Sequence, residues 1–452
     1  MERVRIKGTG ELFPRFIPYI VAVLVVLVAE FLYFGTDLPV SFLAFVVVGA
    51  LALVLFALNP YWAILGLFLI KPILDTMWGT YSSGGIKGTW LMGVIGPLVW
   101  LFGMLYYRIS PLDYKLGRTM IFWGACCLLP MILIPFSTSG VAPLLGPLIS
   151  LKLLNGWGFY FLIPFLIKSR EDFNLFIYAW LASTVIPAIL GLYYLITGNP
   201  WGFQITAGWW RLSGPYHDAA AFMTEIAPGL PIMLYLASGA KIWWKRVLWL
   251  IPIGIWLILA FNSYTRSFWI SASLTMLIWA LVGIWQPLAL AAVGTIYKWG
   301  IIWKRFTVAG IEDIDNPYAL GGRMGLWETF WTVFKKVPWP EKLIGYWAFS
   351  EHRSWRLPDL HIQYTQMIFH LGIFGFISFM SILFGFFYYI FRIVFTKPNC
   401  RREGLLGLSL LIFAAVLSGT GGYFFVPNNQ WLLFGSMGIL INSDVWCNDR
   451  QE

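Results

Sequence analysis

Long apolar runs recur along most of this 452-residue chain, from residue 16 to residue 440. A run of about 18 or more apolar residues is long enough to cross a bilayer as a helix. The composition agrees, because 59% of the residues are hydrophobic and 12% are charged, against roughly 25% charged in a soluble domain. The sequence therefore excludes a soluble globular enzyme. It predicts an all-α, polytopic transmembrane helical bundle of about 12–14 spans.

Basic and neutral connections alternate between these runs, which predicts the orientation of the chain. Lys and Arg concentrate in the connections 108–118, 168–170, 241–246 and 392–402, whereas 35–39, 78–89, 137–150, 198–216 and 421–429 carry few. Positively charged loops stay in the cytoplasm, so the neutral connections belong outside. The net charge of +10 follows from this bias and from anionic lipid, and nucleic acid is not expected as a partner.

The chain divides into three parts by hydropathy. Residues 1–303 are expected to form transmembrane helices, 304–360 an outer loop with an amphipathic helix over 323–336, and 361–452 the C-terminal transmembrane helices. The segment 287–303 is apolar but contains Lys298, so it could be a span or an interfacial helix. The order of crossings favours a span. The preceding helix ends inside and the helix over 366–391 enters from outside, so the chain must cross the membrane once between them.

Four polar side chains stand out at the outer ends of spans or in outer connections: Arg211, Arg266, Arg323 and His361. An arginine near hydrocarbon is costly unless it is paired or faces a wet cavity. Its planar guanidinium can hold phosphate by two parallel hydrogen bonds. Three arginines converging on one outer cavity would suit a lipid diphosphate. Simpler interpretations stay open, namely interfacial snorkelling for Arg266, an ordinary loop arginine at 211 and a structural histidine at 361.

The histidines and cysteines do not suggest a metal site. Three of the four histidines lie nine residues apart, not the three or four that place two ligands on one helix face: His352, His361 and His370. The four cysteines form neither a metal pattern nor a disulfide framework and are expected to be thiols: Cys126, Cys127, Cys400 and Cys447. No metal and no cofactor are expected.

Several short motifs, taken in chain order, resemble the O-antigen ligase and polymerase superfamily of bacterial envelope glycosyltransferases. They are Lys-Ser-Arg-Glu-Asp at 168–172, Arg-Leu-Ser-Gly-Pro-Tyr-His-Asp at 211–218, Tyr-Thr-Arg-Ser at 264–267, Gly-Arg-Met-Gly-Leu-Trp at 322–327, the stretch 338–345, His-Ile-Gln-Tyr-Thr-Gln at 361–366 and Leu-Gly-Ile-Phe-Gly at 371–375. Each motif is degenerate, but their order and spacing together are fairly specific. The resemblance covers about residues 168–440.

This resemblance implies a GT-C-like membrane enzyme of the bacterial inner membrane whose active site lies on the periplasmic face. A glycan on undecaprenyl diphosphate would be transferred with inversion, without metal or nucleotide. Arg211 and Arg266 would hold the diphosphate, Arg323 would share that contact or order the loop, and His361 would accept a proton as catalytic base. Candidate contacts to the sugar or acceptor are His217, Trp210, Tyr264 and Gln363. Expected partners are a lipid A core or a growing polysaccharide as acceptor, membrane lipids, and a chain-length regulator or a flippase.

Other functions fit parts of the same sequence. A ligase and a polymerase of surface polysaccharide share this site, and the sequence separates them poorly. From another class, a flippase or transporter of polyprenyl-linked glycans would use charged residues within broken membrane helices. Glu225, inside an apolar run, is the best argument for that alternative. A cell-wall polymerase of the shape and division type would have similar architecture without this order of Arg and His.

Overall fold

The computed structural model describes residues 59–68, 88–133, 151, 153–206, 209–216, 218–303, 330–332, 334–345, 363–419 and 427–442. Most of these residues are helical, as the sequence predicts. Besides helical residues 60–68, the elements are α1 (Gly88–Tyr106), α2 (Gly117–Leu133), α3 (Phe159–Leu166), α4 (Arg170–Thr197), β1 (Phe203–Thr206), β2 (Trp209–Leu212), α5 (Ala219–Ile226), α6 (Gly229–Gly239), α7 (Trp243–Ser263), α8 (Arg266–Ala280), α9 (Gln286–Tyr297), α10 (Trp339–Ile344), α11 (Gln363–Thr396), α12 (Arg401–Ser418) and α13 (Pro427–Asn442).

Within these ranges, four helices are long and apolar enough to cross a membrane: Arg170–Thr197, Ala219–Gly239, Trp243–Ser263 and Met367–Thr396. One of them, α4, has 28 residues and therefore extends about 42 Å. It starts at a capping box in which Ser169 and Asp172 exchange hydrogen bonds, and it ends at Gly198, whose φ is 64°. A mostly helical fold with four candidate membrane-crossing helices in the described residues is confirmed, whereas about 12–14 spans and a GT-C-like arrangement stay predictions.

One end of the bundle is held by an ion pair and by arginine hydrogen bonds. Arg170, at the start of α4, pairs with Glu403 at the start of α12 across 2.5 Å. Arg402 donates to Ser238 Oγ and to the carbonyl of Tyr235, both near the end of α6, at 3.0 Å each. We call residues 168–170, 235–240 and 401–403 the Arg170 end. Three of the four basic connections lie at or beside it, which agrees with the alternation read from the sequence.

Cys400 lies at this same end and is disulfide-bonded, whereas Cys126 and Cys127 are free. The expectation of four thiols is therefore wrong at Cys400. Disulfides persist in oxidising compartments, so this bond opposes the cytoplasmic orientation that the basic connections favour.

The opposite end of α4 lies beside a short β-hairpin. Gly202, just before β1, packs so closely on Tyr194 of α4 that a Cβ on it would lie 2.2 Å from the Tyr194 Cβ. After the hairpin, the backbone N–H of Ala219 donates to Gln204 Oε1 at 3.1 Å, which attaches the start of α5 to β1. We call residues 203–206, 209–216 and 263–266 the Arg211 end. The hairpin is a local exception to the all-α expectation.

Helices α8 and α9 are too short, at 15 and 12 residues, to cross a hydrocarbon core of about 30 Å. Near the end of α8, Trp279 Nε1 donates to Ser409 Oγ at 2.9 Å, about 12 Å along α12 from its start. Gly294 of α9 lies beside Phe261, close to the end of α7. The pair therefore starts at the Arg211 end, turns before it reaches the Arg170 end and returns. Helical residues 299–303 follow α9 directly after Lys298, and a full span over 287–303 stays a prediction.

Aromatic rings fill the centre of the bundle where α3, α4 and α13 meet helical residues 60–68. The ring of Phe68 lies 4.9 Å from Trp180 and 5.8 Å from Trp431, measured between centroids. Glycines let α3 and α13 approach, since a Cβ on Gly438 would lie 2.3 Å from the carbonyl oxygen of Tyr160. Close packing through small residues is how membrane helices associate, because lipid removes the hydrophobic driving force between them.

Candidate functional site

The hairpin at the Arg211 end positions the first candidate arginine. Strands β1 and β2 pair antiparallel, with Gln204 opposite Arg211 and Phe203 opposite Leu212. Trp210 and Leu212 lie on one face of β2, because residues two apart in a strand point to the same side, and this face is fully buried at Leu212 but 54% exposed at Trp210. The aromatic and aliphatic residues of β2 suit this half-buried environment. Arg211 and Trp209 consequently share one face of β2, and Trp210 lies on the other.

Arg211 holds the turn between α7 and α8. Its Nε donates to the carbonyl of Ser263, the last residue of α7, at 3.0 Å. Its Nη2 donates to Thr265 Oγ1 at 3.1 Å. Between these two residues, Tyr264 adopts a left-handed conformation with φ 52°, and α8 then begins at Arg266. The structure thus brings two of the sequence candidates, Arg211 and Arg266, to the same turn.

The start of α8 is electropositive for a second reason. Helix N-termini carry about half a positive charge and unpaired N–H groups, which attract anions. The N-cap Thr265 makes no side-chain capping bond to α8, and the first turn contains no acid. The Thr265 hydroxyl oxygen instead accepts the hydrogen bond from Arg211. The Arg211 guanidinium, the half-buried residue Arg266 and an uncapped helix start therefore meet at one turn.

Aromatic rings surround this turn. Trp209 lies on the Arg211 face of β2 with its ring 5.2 Å from that of Tyr264, and Tyr264 lies 6.3 Å from Trp269. Trp269 Nε1 donates to the carbonyl of Ala260 at 2.9 Å, which fixes its ring against α7. Tyr264, a sequence candidate for a sugar contact, therefore lies at the turn that Arg211 holds, and its contact with a sugar stays a prediction. Trp209, which is not among the sequence candidates, lies closer to this turn than the candidate Trp210 does. The ring of Trp210 packs on Phe203, on the opposite face of the hairpin.

The aspartate of the motif at 211–218 caps a helix. Asp218 Oδ1 accepts hydrogen bonds from the N–H groups of Ala220 and Ala221, at 2.6 and 3.2 Å. Side-chain capping of this kind satisfies donors that have no partner within the helix. Asp218 therefore fixes the start of α5 beside the hairpin and supports the turn indirectly.

Three other sequence candidates lie outside the described residues: His217, Arg323 and His361. The loop 304–360 is also described only over 330–332 and 334–345, where it is mostly helical. For Gln363 only the helical backbone at the start of α11 is described. Convergence of these residues on the turn at Arg211 stays a prediction. In the parts of the chain that are described, no three His, Cys, Asp or Glu side chains form a group suited to a metal ion.

No family model matches the chain, and no curated protein is similar to it. The case for a function therefore depends on the site and on the ordered motifs.

Proposed function

We propose that this chain is a membrane glycosyltransferase that moves a glycan from undecaprenyl diphosphate to a hydroxyl of an acceptor. The acceptor is either a lipid A core, for a ligase, or a growing polysaccharide, for a polymerase. One observation carries the proposal: Arg211 is hydrogen-bonded to the turn at which the uncapped helix α8 begins with Arg266. Fixed cations at a helix start at one end of a membrane bundle suit a lipid headgroup bearing two phosphates.

The reaction breaks the bond between the anomeric carbon and the diphosphate oxygen, and the electron pair leaves with the diphosphate. Arg211, Arg266 and the α8 N-terminus would stabilise the negative charge that grows there, which is where preorganised cations lower a barrier most. The acceptor oxygen attacks the anomeric carbon from the opposite face, so the configuration inverts. Its proton passes to His361, whose ordinary pKa near 6.5 suits a base at neutral pH. Arg323 would share the diphosphate contact or order the outer loop.

The proposed enzyme works in the bacterial inner membrane with the Arg211 end in the periplasm. The positive-inside rule supports this orientation, since the basic connections lie towards the opposite end. The polyprenyl tail would lie along the apolar surface of the bundle among membrane lipids, and a chain-length regulator or a flippase would supply or direct the substrate.

A transfer assay tests the proposal and separates its forms. Purified protein is mixed with lipid-diphosphate oligosaccharide and a chelator, without nucleotide, and the release of undecaprenyl diphosphate and the size of the glycan are measured. A ladder of longer glycans identifies a polymerase, whereas dependence on added lipid A core identifies a ligase. Absence of bond cleavage with either acceptor contradicts the proposal.

Changing the proposed base gives a sharper expectation. His361→Ala should lower transfer by about 100-fold or more, because a positioned base contributes roughly 10²–10⁴ to the rate. Binding of the lipid diphosphate should be nearly unchanged, since the arginines provide it. His352→Ala, which changes a histidine in the preceding loop, is the matched control and should stay active. Full activity of His361→Ala would remove the assignment of His361 as base.

The second candidate function is a flippase of polyprenyl-linked glycans. Glu225 favours it, because this acid lies 5% exposed inside the apolar span Ala219–Gly239, and ionisable groups within membranes are usually functional. In proteoliposomes, movement of the intact lipid-linked glycan across the bilayer without release of undecaprenyl diphosphate would establish a flippase. The arginines at the α8 turn would then bind the headgroup during transport.

A further inference from the structure

A surface groove follows the last turns of α11. Its volume is about 660 Å³, within the roughly 300–1,000 Å³ of sites that hold small molecules. The residues that line it form two rows, because residues four apart in a helix lie one above the other. One row is Phe387, Phe391 and Phe395, and the other is Tyr388 and Arg392. We call these five residues the Arg392 groove. It combines four aromatic rings with one cation.

The aromatic surface of the Arg392 groove faces outwards. The rings of Tyr388, Phe391 and Phe395 are more than half exposed, and so is Phe384, one turn before Tyr388. The rings of Phe391 and Phe395 lie 4.6 Å apart between centroids, so they form a continuous surface. These residues belong to Met367–Thr396, a helix long and apolar enough to cross a membrane. An exposed aromatic face on such a helix suits lipid better than water.

The position of Arg392 along α11 places its guanidinium at the level of lipid headgroups. Beyond the kink at Gly372, the helix continues for 24 residues to Thr396, about 36 Å, which exceeds a hydrocarbon core of about 30 Å. Arg392 lies about 6 Å before this end, near the edge of the core. A long arginine side chain at such a depth extends to the interface. Phe384 lies about 12 Å further into the membrane than Arg392, at the level of acyl chains.

The charge of Arg392 is not balanced within the protein. In the part of the chain that the structure describes, its guanidinium makes no ion pair and no hydrogen bond. Glu403, at the start of α12, is already paired with Arg170. The neighbour of this acid, Gly404, packs against Val394, which is buried and therefore lies on the opposite face of α11. An arginine near hydrocarbon that lacks a partner of opposite charge in the protein needs an anion from elsewhere or water.

We propose that the Arg392 groove binds one anionic phospholipid. The Arg392 guanidinium holds the phosphate by two parallel hydrogen bonds, which its planar shape allows. The Tyr388 hydroxyl, one turn further into the membrane, donates to an ester oxygen, and the acyl chains lie over the phenylalanine row. A zwitterionic lipid would bring its ammonium group beside Arg392, where no described acid is free to pair with it. The site does not depend on the proposed glycan transfer.

Native mass spectrometry of the purified full chain in detergent tests the site. The probes are phosphatidylglycerol, which is anionic, and phosphatidylcholine, which is zwitterionic, with identical acyl chains. The expected result is one phosphatidylglycerol bound per chain. Phosphatidylcholine should bind at least about tenfold more weakly, because its ammonium group repels the arginine. Equal affinity of the two lipids for the unmodified chain overturns the proposal.

Arg392→Gln is expected to weaken binding of phosphatidylglycerol by about tenfold, since a hydrogen bond to a charged group contributes roughly this factor. Binding of phosphatidylcholine should be unchanged. Arg246→Gln is the matched control, because Arg246 is an exposed arginine beside the Arg170 end that donates to the carbonyl of Ala240 and does not line the groove. An equal loss in both variants, or no loss in Arg392→Gln, overturns the assignment of the phosphate to Arg392.

The aromatic row has its own test. Phe395→Ala should weaken binding of both lipids, whereas Phe374→Ala, which changes an exposed ring of α11 outside the groove, should not. Both side chains are exposed, so both variants are expected to fold, and thermal unfolding checks this. Unchanged lipid binding in Phe395→Ala contradicts the proposed groove. If the unmodified chain is a dimer that Phe395→Ala dissociates, a second copy covers the groove and the lipid proposal is wrong.

Discussion

Replacing Arg211 with alanine is expected to reduce glycan transfer by about 100-fold or more. Removal of one preorganised donor that faces growing negative charge typically costs a factor of about 10²–10³ in rate. Arg211→Lys should recover only part of this loss, because an ammonium group cannot hold phosphate with two parallel hydrogen bonds. The measurement is the rate at which purified protein releases undecaprenyl diphosphate, compared at matched protein concentration.

Two controls separate binding of the diphosphate from support of the α7–α8 turn. Thr265→Ala removes one hydrogen bond that Arg211 makes to the turn but leaves both arginines in place, so it should retain most of the activity. Arg246→Ala removes an exposed arginine beside the Arg170 end and should be fully active. If Thr265→Ala loses as much activity as Arg211→Ala, the arginine supports the turn only and the proposed diphosphate contact is wrong.

The largest effect on stability is expected at the Arg170 end. Arg170→Ala leaves the Glu403 carboxylate, whose side chain is 6% exposed, without its ion-pair partner. Breaking a buried pair costs about 3–5 kcal/mol, and since Arg170 is itself 31% exposed we expect a smaller loss of about 2 kcal/mol. Denaturant unfolding in detergent, followed by tryptophan fluorescence, measures the change.

A double variant provides the matched control for this ion pair. Arg170→Met with Glu403→Gln removes both charges while keeping similar volumes, and replacing a whole buried pair is often nearly neutral. The double variant should therefore be more stable than Arg170→Ala. A double variant as unstable as Arg170→Ala, or an Arg170→Ala variant with unchanged stability, would show that the ion pair does not hold α4 to α12.

The parts of the fold that depend on local pattern were predictable. Apolar length alone locates α4 and α7, and the Ser169–Asp172 capping box lies at a basic connection that the sequence identifies. Arg211 and Arg266 could also be identified from the sequence as candidate site residues, because an arginine near hydrocarbon is costly unless it has a partner or a wet cavity. Their meeting at one turn was suggested only by the order of the motifs. The contacts that join them run through the carbonyl of Ser263 and the hydroxyl of Thr265, which carry no charge signal.

Features that depend on tertiary packing could not be predicted from the sequence. The hairpin over 203–212 is short and aromatic, and such segments are typical of interfacial loops as much as of strands. The sequence does not reveal that α8 and α9 are short, because the connection between them, 281–285, is apolar and no charged residue marks where one helix ends and the next begins. The sequence did not indicate that Trp209 shares a face with Arg211, because that follows from the alternation of side chains in β2 and the strand itself was not predicted.

Photocrosslinking tests the central claim most directly, namely that a lipid diphosphate binds where Arg211 meets the start of α8. The probe is an undecaprenyl-diphosphate-linked sugar that carries a diazirine next to the diphosphate, applied to the purified chain and mapped by peptide mass spectrometry. The account predicts crosslinks within residues 209–216 and 264–269, which unlabelled undecaprenyl diphosphate removes by competition. Crosslinks concentrated at the Arg170 end, or none that competitor removes, would contradict it.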